Sequence, residues 1–185
     1  NALNSIAIGQ NYYEKTYATG INSLAIGCET SSMGLNSIAI GYRNKSSETE
    51  SVTIGSNNIS TGIQSIAIGY KVSASGMNSL AMSNETSASG NTAQSFGYKT
   101  LASGNYSTTF GEQTTANGQG SFAGGFFSSA NGNYSLAFGK YAKTDKDSSI
   151  ALGYEAKSLY EKSIAIGAGA ETTQDNQIVL GSCDT

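Results

Sequence analysis

Histidine is absent from this 185-residue chain, and so are proline and tryptophan. Without histidine the chain lacks the usual general base of a catalytic triad and the commonest protein ligand of zinc. Only Asp145 and Asp147 hint at a cation site, but the remaining ligands of a calcium-binding loop do not follow them, so a solvated turn is the better interpretation. The sequence therefore predicts a protein that is not an enzyme and that carries no metal or other cofactor.

Cysteine and charge are also scarce. Cys28 and Cys183 are too few for a disulfide framework, and their spacing is not that of a CxxC site. Charged residues make up 12% of the chain and the formal net charge is -3, so there is no basic footprint for nucleic acid or an anionic membrane. No apolar run approaches the roughly 20 residues that span a bilayer as a helix. We expect no nucleic-acid partner and no direct membrane contact from this segment.

A five-residue word, Ser-aliphatic-Ala-aliphatic-Gly, dominates the sequence instead. It occurs thirteen times, in places degenerate, and after a first interval of eighteen residues all eleven further intervals are fourteen. Because residue identities drift while the spacing stays constant, the period predicts a repeated structural unit. The words begin at Ser5, Ser23, Ser37, Ser51, Ser65, Ser79, Ala93, Ser107, Ser121, Ser135, Ser149, Ser163 and Gln177.

Each word alternates as a β-strand does. Large apolar residues take the second and fourth places, as Ile38 and Ile40 do, with a small residue between them. A second glycine follows later in the period, as at Gly62 and Gly76, and we expect the two glycines to supply the turns. Two short strands and two turns in fourteen residues predict one flattened coil of a β-roll. A helix would lose about 1 kcal/mol at each glycine, and a meander does not explain the constant polarity of the words.

The hydrophobic content of one coil predicts association between chains. Each coil offers about two large apolar side chains to its core, worth roughly 3 to 6 kcal/mol if fully buried. Ordering fourteen residues costs on the order of 20 kcal/mol. Such a core is thin even with backbone ladders along the axis. Packing against identical chains would bury a second face, so we expect a homo-oligomer.

Aromatic residues recur directly after the word-closing glycine and are the candidate ligand-binding residues. Stacked coils are expected to align them as an exposed stripe, and such rows suit protein recognition. Phe126 and Phe127 stand out because two consecutive bulky residues cannot both face a narrow core. The alternative role of stacked tyrosines is to stabilise the ladder itself. The candidates are Tyr42, Tyr70, Tyr98, Phe126, Phe127 and Tyr154.

Several places depart from the pattern. The second glycine of the period is replaced by Glu48, Lys146, Tyr160 and Gln174. Four additional residues lie within 11–19, which contains Tyr12, Tyr13 and Tyr17 and is expected to form a protruding loop or an imperfect capping coil. Ser83 stands where the word-closing glycine is expected, and Gly124 stands where a core residue is expected. Coils with such departures are expected to bulge or to carry function.

The word preceded by Asn, as in residues 4–9 and 36–41, resembles the head repeat of YadA-like trimeric autotransporter adhesins. The period and the Ala-Ser-Gly turn at 74–76 and 88–90 match as well, over essentially the whole chain. The resemblance implies that residues 1–171 form a homotrimeric head, a left-handed parallel β-roll of 14-residue coils. Residues 172–185 resemble the start of the neck, which leads to a coiled-coil stalk outside this chain.

The same resemblance implies a non-enzymatic adhesin on the bacterial cell surface, anchored in the outer membrane through a C-terminal region beyond these residues. Its expected role in virulence is attachment to a host receptor, such as carcinoembryonic-antigen-related cell adhesion molecules, or to collagen or another matrix protein. The Asn-, Ile-, Lys- and Tyr-rich composition is similar to that of fusobacterial adhesins of this family. The alternatives are a phage or viral receptor-binding fibre and an inert spacer rod. Scattered threonines argue against an ice-binding array, and short coils without a carboxylate cluster argue against a polysaccharide-cleaving β-helix.

Overall fold

A computed structural model of the chain describes residues 2–9 and 15–181. It divides into two compact units, Asn1–Thr92 and Ala93–Thr185. Within the described residues every regular element is a β-strand, and the strands pair in parallel with equivalent strands of the neighbouring coils. Each unit is therefore a parallel β-solenoid, and its register of fourteen residues, as in Ile38↔Val52, confirms the predicted fold class.

The first unit has two parallel sheets, one of longer and one of shorter strands. The long-strand sheet runs β1 (Ile6–Ile8), β3 (Leu24–Cys28), β5 (Ile38–Tyr42), β7 (Val52–Ser56), β9 (Ile66–Tyr70) and β11 (Leu80–Asn84). The short-strand sheet runs β2 (Tyr17–Ala18), β4 (Ser31–Ser32), β6 (Lys45–Ser46), β8 (Ile59–Ser60), β10 (Ser73–Ala74) and β12 (Ser87–Ala88). Each coil contributes one strand to each sheet.

The second unit repeats this arrangement, except that its last two long strands are not followed by a short strand within the described residues. Its long-strand sheet runs β13 (Gln94–Tyr98), β15 (Thr108–Glu112), β17 (Phe122–Phe126), β19 (Leu136–Lys140), β21 (Ile150–Leu152), β23 (Ile164–Ile166) and β24 (Ile178–Leu180). Its short-strand sheet runs β14 (Leu101–Ala102), β16 (Thr115–Ala116), β18 (Ser129–Ala130), β20 (Lys143–Thr144) and β22 (Lys157–Ser158). Because β24 pairs with β23 in the same register, the ladder continues beyond residue 171. The start of a neck at residue 172 stays a prediction.

Small residues fill the interior of each coil. We number coil positions 1–14 from the first residue of each word. The alanines at position 3, such as Ala39 and Ala67, have no exposed surface, while the aliphatic residues on either side remain half-buried or exposed. The expectation that the large apolar residues form the core of the coil is therefore wrong. The largest fully buried side chain of the described residues is that of Val72. The space between the two sheets of a coil therefore suits small side chains, and alternation turns the small residue inward and the large ones outward.

The interior also contains many polar side chains, which explains why the word begins with serine. The buried Ser37 hydroxyl donates to the carbonyl of Gly34 at 2.8 Å, and Ser65 donates to Gly62 at 2.6 Å. Each bond closes the turn that precedes the long strand. A hydroxyl buried with a partner avoids the desolvation cost that an unpaired one would incur.

Two buried asparagines at position 8 form a ladder along the first unit. The Asn58 amide nitrogen donates to the carbonyls of Ile54 at 2.9 Å and Gly69 at 2.8 Å, and its oxygen accepts from the Val72 amide at 2.9 Å. Asn44 contacts the equivalent groups one coil earlier. These side chains join consecutive coils at the turn between the two sheets.

Only one of the two glycine sets supplies a left-handed backbone. Gly41, at position 5, has φ +123°, whereas Gly76, at position 12, is absent from the residues with positive φ. A Cβ on Gly76 would lie 1.9 Å from the Gly90 carbonyl oxygen, so glycine is required there by close approach of the next coil. The left-handed turn residues are instead at positions 7 and 14, for example Arg43 (φ 52°) and Asn36 (φ 55°). The glycines at position 12 still begin a turn, because the Ser79 amide donates to the Gly76 carbonyl at 3.2 Å, but they do so without a left-handed φ.

Candidate interaction surfaces

The outer face of each long-strand sheet is hydrophobic. Its hydrophobic residues occupy positions 2 and 4 of the coils, with Gln94, Thr108 and Gly124 as exceptions, and their side chains point away from the coil interior. In the first unit Ile54 is 38% exposed, and in the second Phe110 is 61% and Phe138 is 49% exposed. This surface has the residue composition of a core without a covering layer.

Gly124 interrupts the large residues of position 4 for a local steric reason. The Phe122 and Phe138 rings lie 6.4 Å apart between centroids, stacked at 28°. A Cβ on Gly124 would lie 2.6 Å from Phe138, so the phenylalanine ring occupies the space that a side chain at this position would need. The coil keeps its register in the ladder, because Gly124 pairs with Phe138 and Phe110. The coil therefore does not bulge, contrary to one of the two expectations for it.

The predicted tyrosines of the first unit are exposed but separated. Tyr42 and Tyr70 lie at equivalent positions two coils apart, with Ser56 between them in register. The Arg43 guanidinium lies over the Tyr42 ring at 4.8 Å from its centroid, and the Lys71 ammonium over Tyr70 at 5.2 Å. Each ring is therefore covered by the cation that follows it in sequence, and Ser56 interrupts the expected stripe.

In the second unit, Tyr98 repeats that pairing while the other candidates come together. The Lys99 ammonium lies 5.0 Å from the Tyr98 ring centroid. Phe126 and Phe127 pack edge to face with centroids 4.6 Å apart. Tyr141, from the next coil, lies 5.8 Å from Phe126 and 5.7 Å from Phe127.

Lys140 links this group to the last candidate. Its ammonium lies 5.7 Å from the Phe126 centroid, 5.3 Å from Tyr141 and 5.8 Å from Tyr154. We call Phe126, Phe127, Lys140, Tyr141 and Tyr154 the Lys140 patch. The hydroxyl of Tyr154 is hydrogen-bonded to Glu155, and this bond together with the negative charge of Glu155 raises the pKa of Tyr154.

The candidate residues chosen from the sequence included neither Tyr141 nor Lys140. The signal was present, because Phe127 and Tyr141 occupy position 7 in consecutive coils. Sequence reasoning also missed an exposed aliphatic row at position 13 of the first unit. Its members, between 44% and 48% exposed, are Ile21, Leu35, Ile63 and Met77, with the polar Thr49 between Leu35 and Ile63.

The carboxylates at the suggested cation site bind neighbouring groups of the protein. Asp145 accepts from Asn131 at 2.9 Å and pairs with Lys143 at 2.7 Å. Burial works to raise the pKa of Asp145, but these hydrogen bonds and the charges of Lys143 and Lys146 lower it overall. Asp147 accepts from the amide of Asn133 at 2.8 Å. The described residues hold no group of three or more acidic or cysteine side chains placed to bind a metal ion.

Some predictions fall outside the described residues. Tyr12, Tyr13 and Cys183 are among them, while Tyr17 lies in β2 with its side chain exposed. Cys28 is a half-buried free thiol. Across residues 2–9 and 15–181, the structure contains no helix that could span a bilayer.

Comparison with known proteins identifies the repeat. A family profile described as the YadA head domain repeat (2 copies) matches residues 34–58, 60–82, 102–128, 130–156 and 161–182. Among solved structures, the chain is similar to the collagen-binding domain of the Yersinia adhesin YadA, at 21% identity and a TM-score of 0.48, over 100% of this chain and 84% of that one. No curated protein matches the chain.

The family assignment agrees with the coil geometry. The profile matches extend over well over half of the chain and fall in both units. They include the coils with inward alanine, buried turn serine and outward aliphatic residues. The chain belongs to the family of proteins built from YadA head domain repeats.

Proposed function

We propose that the chain is the head of a non-enzymatic bacterial surface adhesin, which assembles as a homotrimer and attaches the cell to a host receptor or matrix protein. Membership of the YadA head repeat family supports the adhesin role. The partners we propose are collagen or another matrix protein, and carcinoembryonic-antigen-related cell adhesion molecules. The remainder of the proposed protein, a neck, stalk and outer-membrane anchor, would hold this head away from the cell.

The observation that carries the proposal is the outward hydrophobic face of the long-strand sheets. Fully burying one isoleucine stabilises a protein by about 1.5–3 kcal/mol. Much of this stabilisation is absent where such residues stay half exposed in one coil after another. Monomeric proteins rarely expose apolar surface of this extent. Identical copies offer a covering face of the same repeat length. In a closed ring of three, the hydrophobic face of every copy is covered to the same extent.

Two isoleucines of the first unit provide a matched test. Ile54 lies on the long-strand sheet and Ile59 on the short-strand sheet, with 38% and 45% of their surface exposed. Ile54→Asp would bury an unpaired charge between copies in the trimer. We expect this variant to dissociate into monomers in light scattering, whereas Ile59→Asp remains assembled.

We expect binding of the host protein to depend on assembly of the trimer. Wild-type protein and both variants would be applied to immobilised collagen, fibronectin and the ectodomain of a carcinoembryonic-antigen-related receptor. We expect saturable binding to one of these by wild type and Ile59→Asp, and at least about tenfold weaker binding by Ile54→Asp because multivalency is lost. Absence of binding to every surface would contradict the adhesin role and favour a spacer or a viral fibre.

A further inference from the structure

Within the described part of the chain, Lys140 has no acidic partner, whereas two other lysines of the second unit do. Lys143 pairs with Asp145 at 2.7 Å and Lys157 pairs with Glu171 at 3.1 Å. Among the described residues, no carboxylate lies within ion-pair distance of the Lys140 ammonium, whose contacts are the three aromatic rings. The rings hold the ammonium in place without neutralising its charge.

Two of the four aromatic residues of the Lys140 patch occupy unfavourable backbone conformations. Phe127 and Tyr141 lie at position 7 with φ of 53° and 60°. This left-handed region is tolerated best by Gly, Asn and Asp and is unusual for bulky side chains. At the same position, Asn57 and Lys71 show that polar residues serve the turn elsewhere. The turn itself recurs along both units, so Phe127 and Tyr141 add bulky side chains at a position where a polar residue would serve.

The orientation of the rings indicates the kind of partner. Phe126 meets both Phe127 and Tyr141 at 72°, so the rings form an angular surface and not a flat platform. A flat platform suits the face of a sugar ring, whereas an angular surface suits branched and aromatic side chains. Phe127 and Tyr141, each 42% exposed, provide apolar contact area next to the ammonium.

We propose that the Lys140 patch is a docking site for a protein partner that presents a carboxylate beside apolar side chains. The carboxylate pairs with Lys140, and the neighbouring apolar side chains pack against Phe127 and Tyr141. Exposed aromatic residues around one charged group match the composition of interaction hot spots. The inference rests on the proposed function, because it assigns this surface to the adhesive contact.

The test uses the assembled protein and a peptide array as the probe. The array holds short peptides with Glu or Asp between Phe, Tyr or Leu residues, together with matched peptides in which Gln or Asn replaces the acid. Sialylated and neutral glycans are placed on the same surface. We expect wild type to prefer the acidic peptides over their amide counterparts by about fivefold, as for one exposed charge pair.

Three variants test whether the preference for acidic peptides depends on the Lys140 patch. Lys140→Gln should abolish the preference, while Lys143→Gln, which removes a lysine already paired with Asp145, should retain it. Phe127→Asn should weaken binding of all peptides and should fold, because asparagine tolerates the left-handed conformation. Circular dichroism and light scattering would verify the fold and assembly of each variant.

The outcomes separate this inference from the proposed function. Equal binding of acidic and amide peptides, an unchanged preference in Lys140→Gln, or binding to glycans alone would overturn the inference. Failure of every peptide to bind would overturn it too. In each case, binding of the assembled protein to an immobilised host protein would leave the adhesin role standing.

Discussion

At the scale of single residues, the word-closing position requires an unusual backbone conformation. Ser83 is the one described residue other than glycine at this position, and it adopts a positive φ as well. From Gly27 to Gly167, the glycines at position 5 have φ between 108° and 140°, a region that side chains disfavour. Ser83 holds the same position with φ 104°. Its deviation from the word could be read from the sequence, but the backbone strain could not, since it depends on the φ of the folded coil.

Replacing Ser83 by glycine should therefore stabilise the protein. Relief of the disfavoured φ is worth about 1–3 kcal/mol, and the added freedom of the unfolded chain offsets about 0.5–1 kcal/mol of it. We expect the thermal midpoint of Ser83→Gly, followed by circular dichroism, to rise by a few degrees. Ser75→Gly is the control, because Ser75 is exposed and has no positive φ. Equal lowering of both midpoints would show that Ser83 is not strained.

At the scale of the strand, alternation predicts which residues share a face but not which face is buried. Ile38 and Ile40 were correctly placed together, with Ala39 opposite, but the inward side was assigned wrongly because large residues were taken as the core. The missing information was the separation of the two sheets. The run of Ser, Ala, Thr and Asn at positions 1, 3, 8 and 10 indicates a narrow interior once the closed coil is known.

The narrow interior can be tested at Ala67, which has no exposed surface. Ala67→Leu places three additional carbons between the sheets and should cost about 1–3 kcal/mol of unfolding free energy. Ala67→Thr should be tolerated better, because Thr53 already occupies position 3 of the preceding coil in a fully buried state. Denaturant unfolding measures both variants. A leucine that is as well tolerated as threonine would mean that the interior is wider than the structure shows.

The candidate site was partly accessible from sequence. Phe126 and Phe127 were identified because consecutive bulky residues cannot both point into a coil, and they do belong to the Lys140 patch. Tyr141 was not identified. Apart from Phe127, the candidates were chosen among the aromatic residues at position 6, and Tyr141 lies at position 7. Lys140 resembled any surface lysine until the structure placed three rings around its ammonium.

At the scale of the whole molecule, small interior residues and large exterior ones have a common explanation. A coil whose interior is made of Ser, Ala, Thr and Asn buries little apolar surface, and we propose that the aliphatic and aromatic residues of positions 2 and 4 are buried between chains. On this account the repeat specifies both the fold of the coil and the association of the chains. The Lys140 patch, which includes residues of positions 6 and 7, is then available for a partner.

The mass of the purified wild-type protein in native mass spectrometry tests this account most directly. We predict three copies of the 19.0 kDa chain, held together at low micromolar concentration. A stable, folded monomer under the same conditions would contradict it, because the outward hydrophobic faces would then be compatible with water in the absence of any partner.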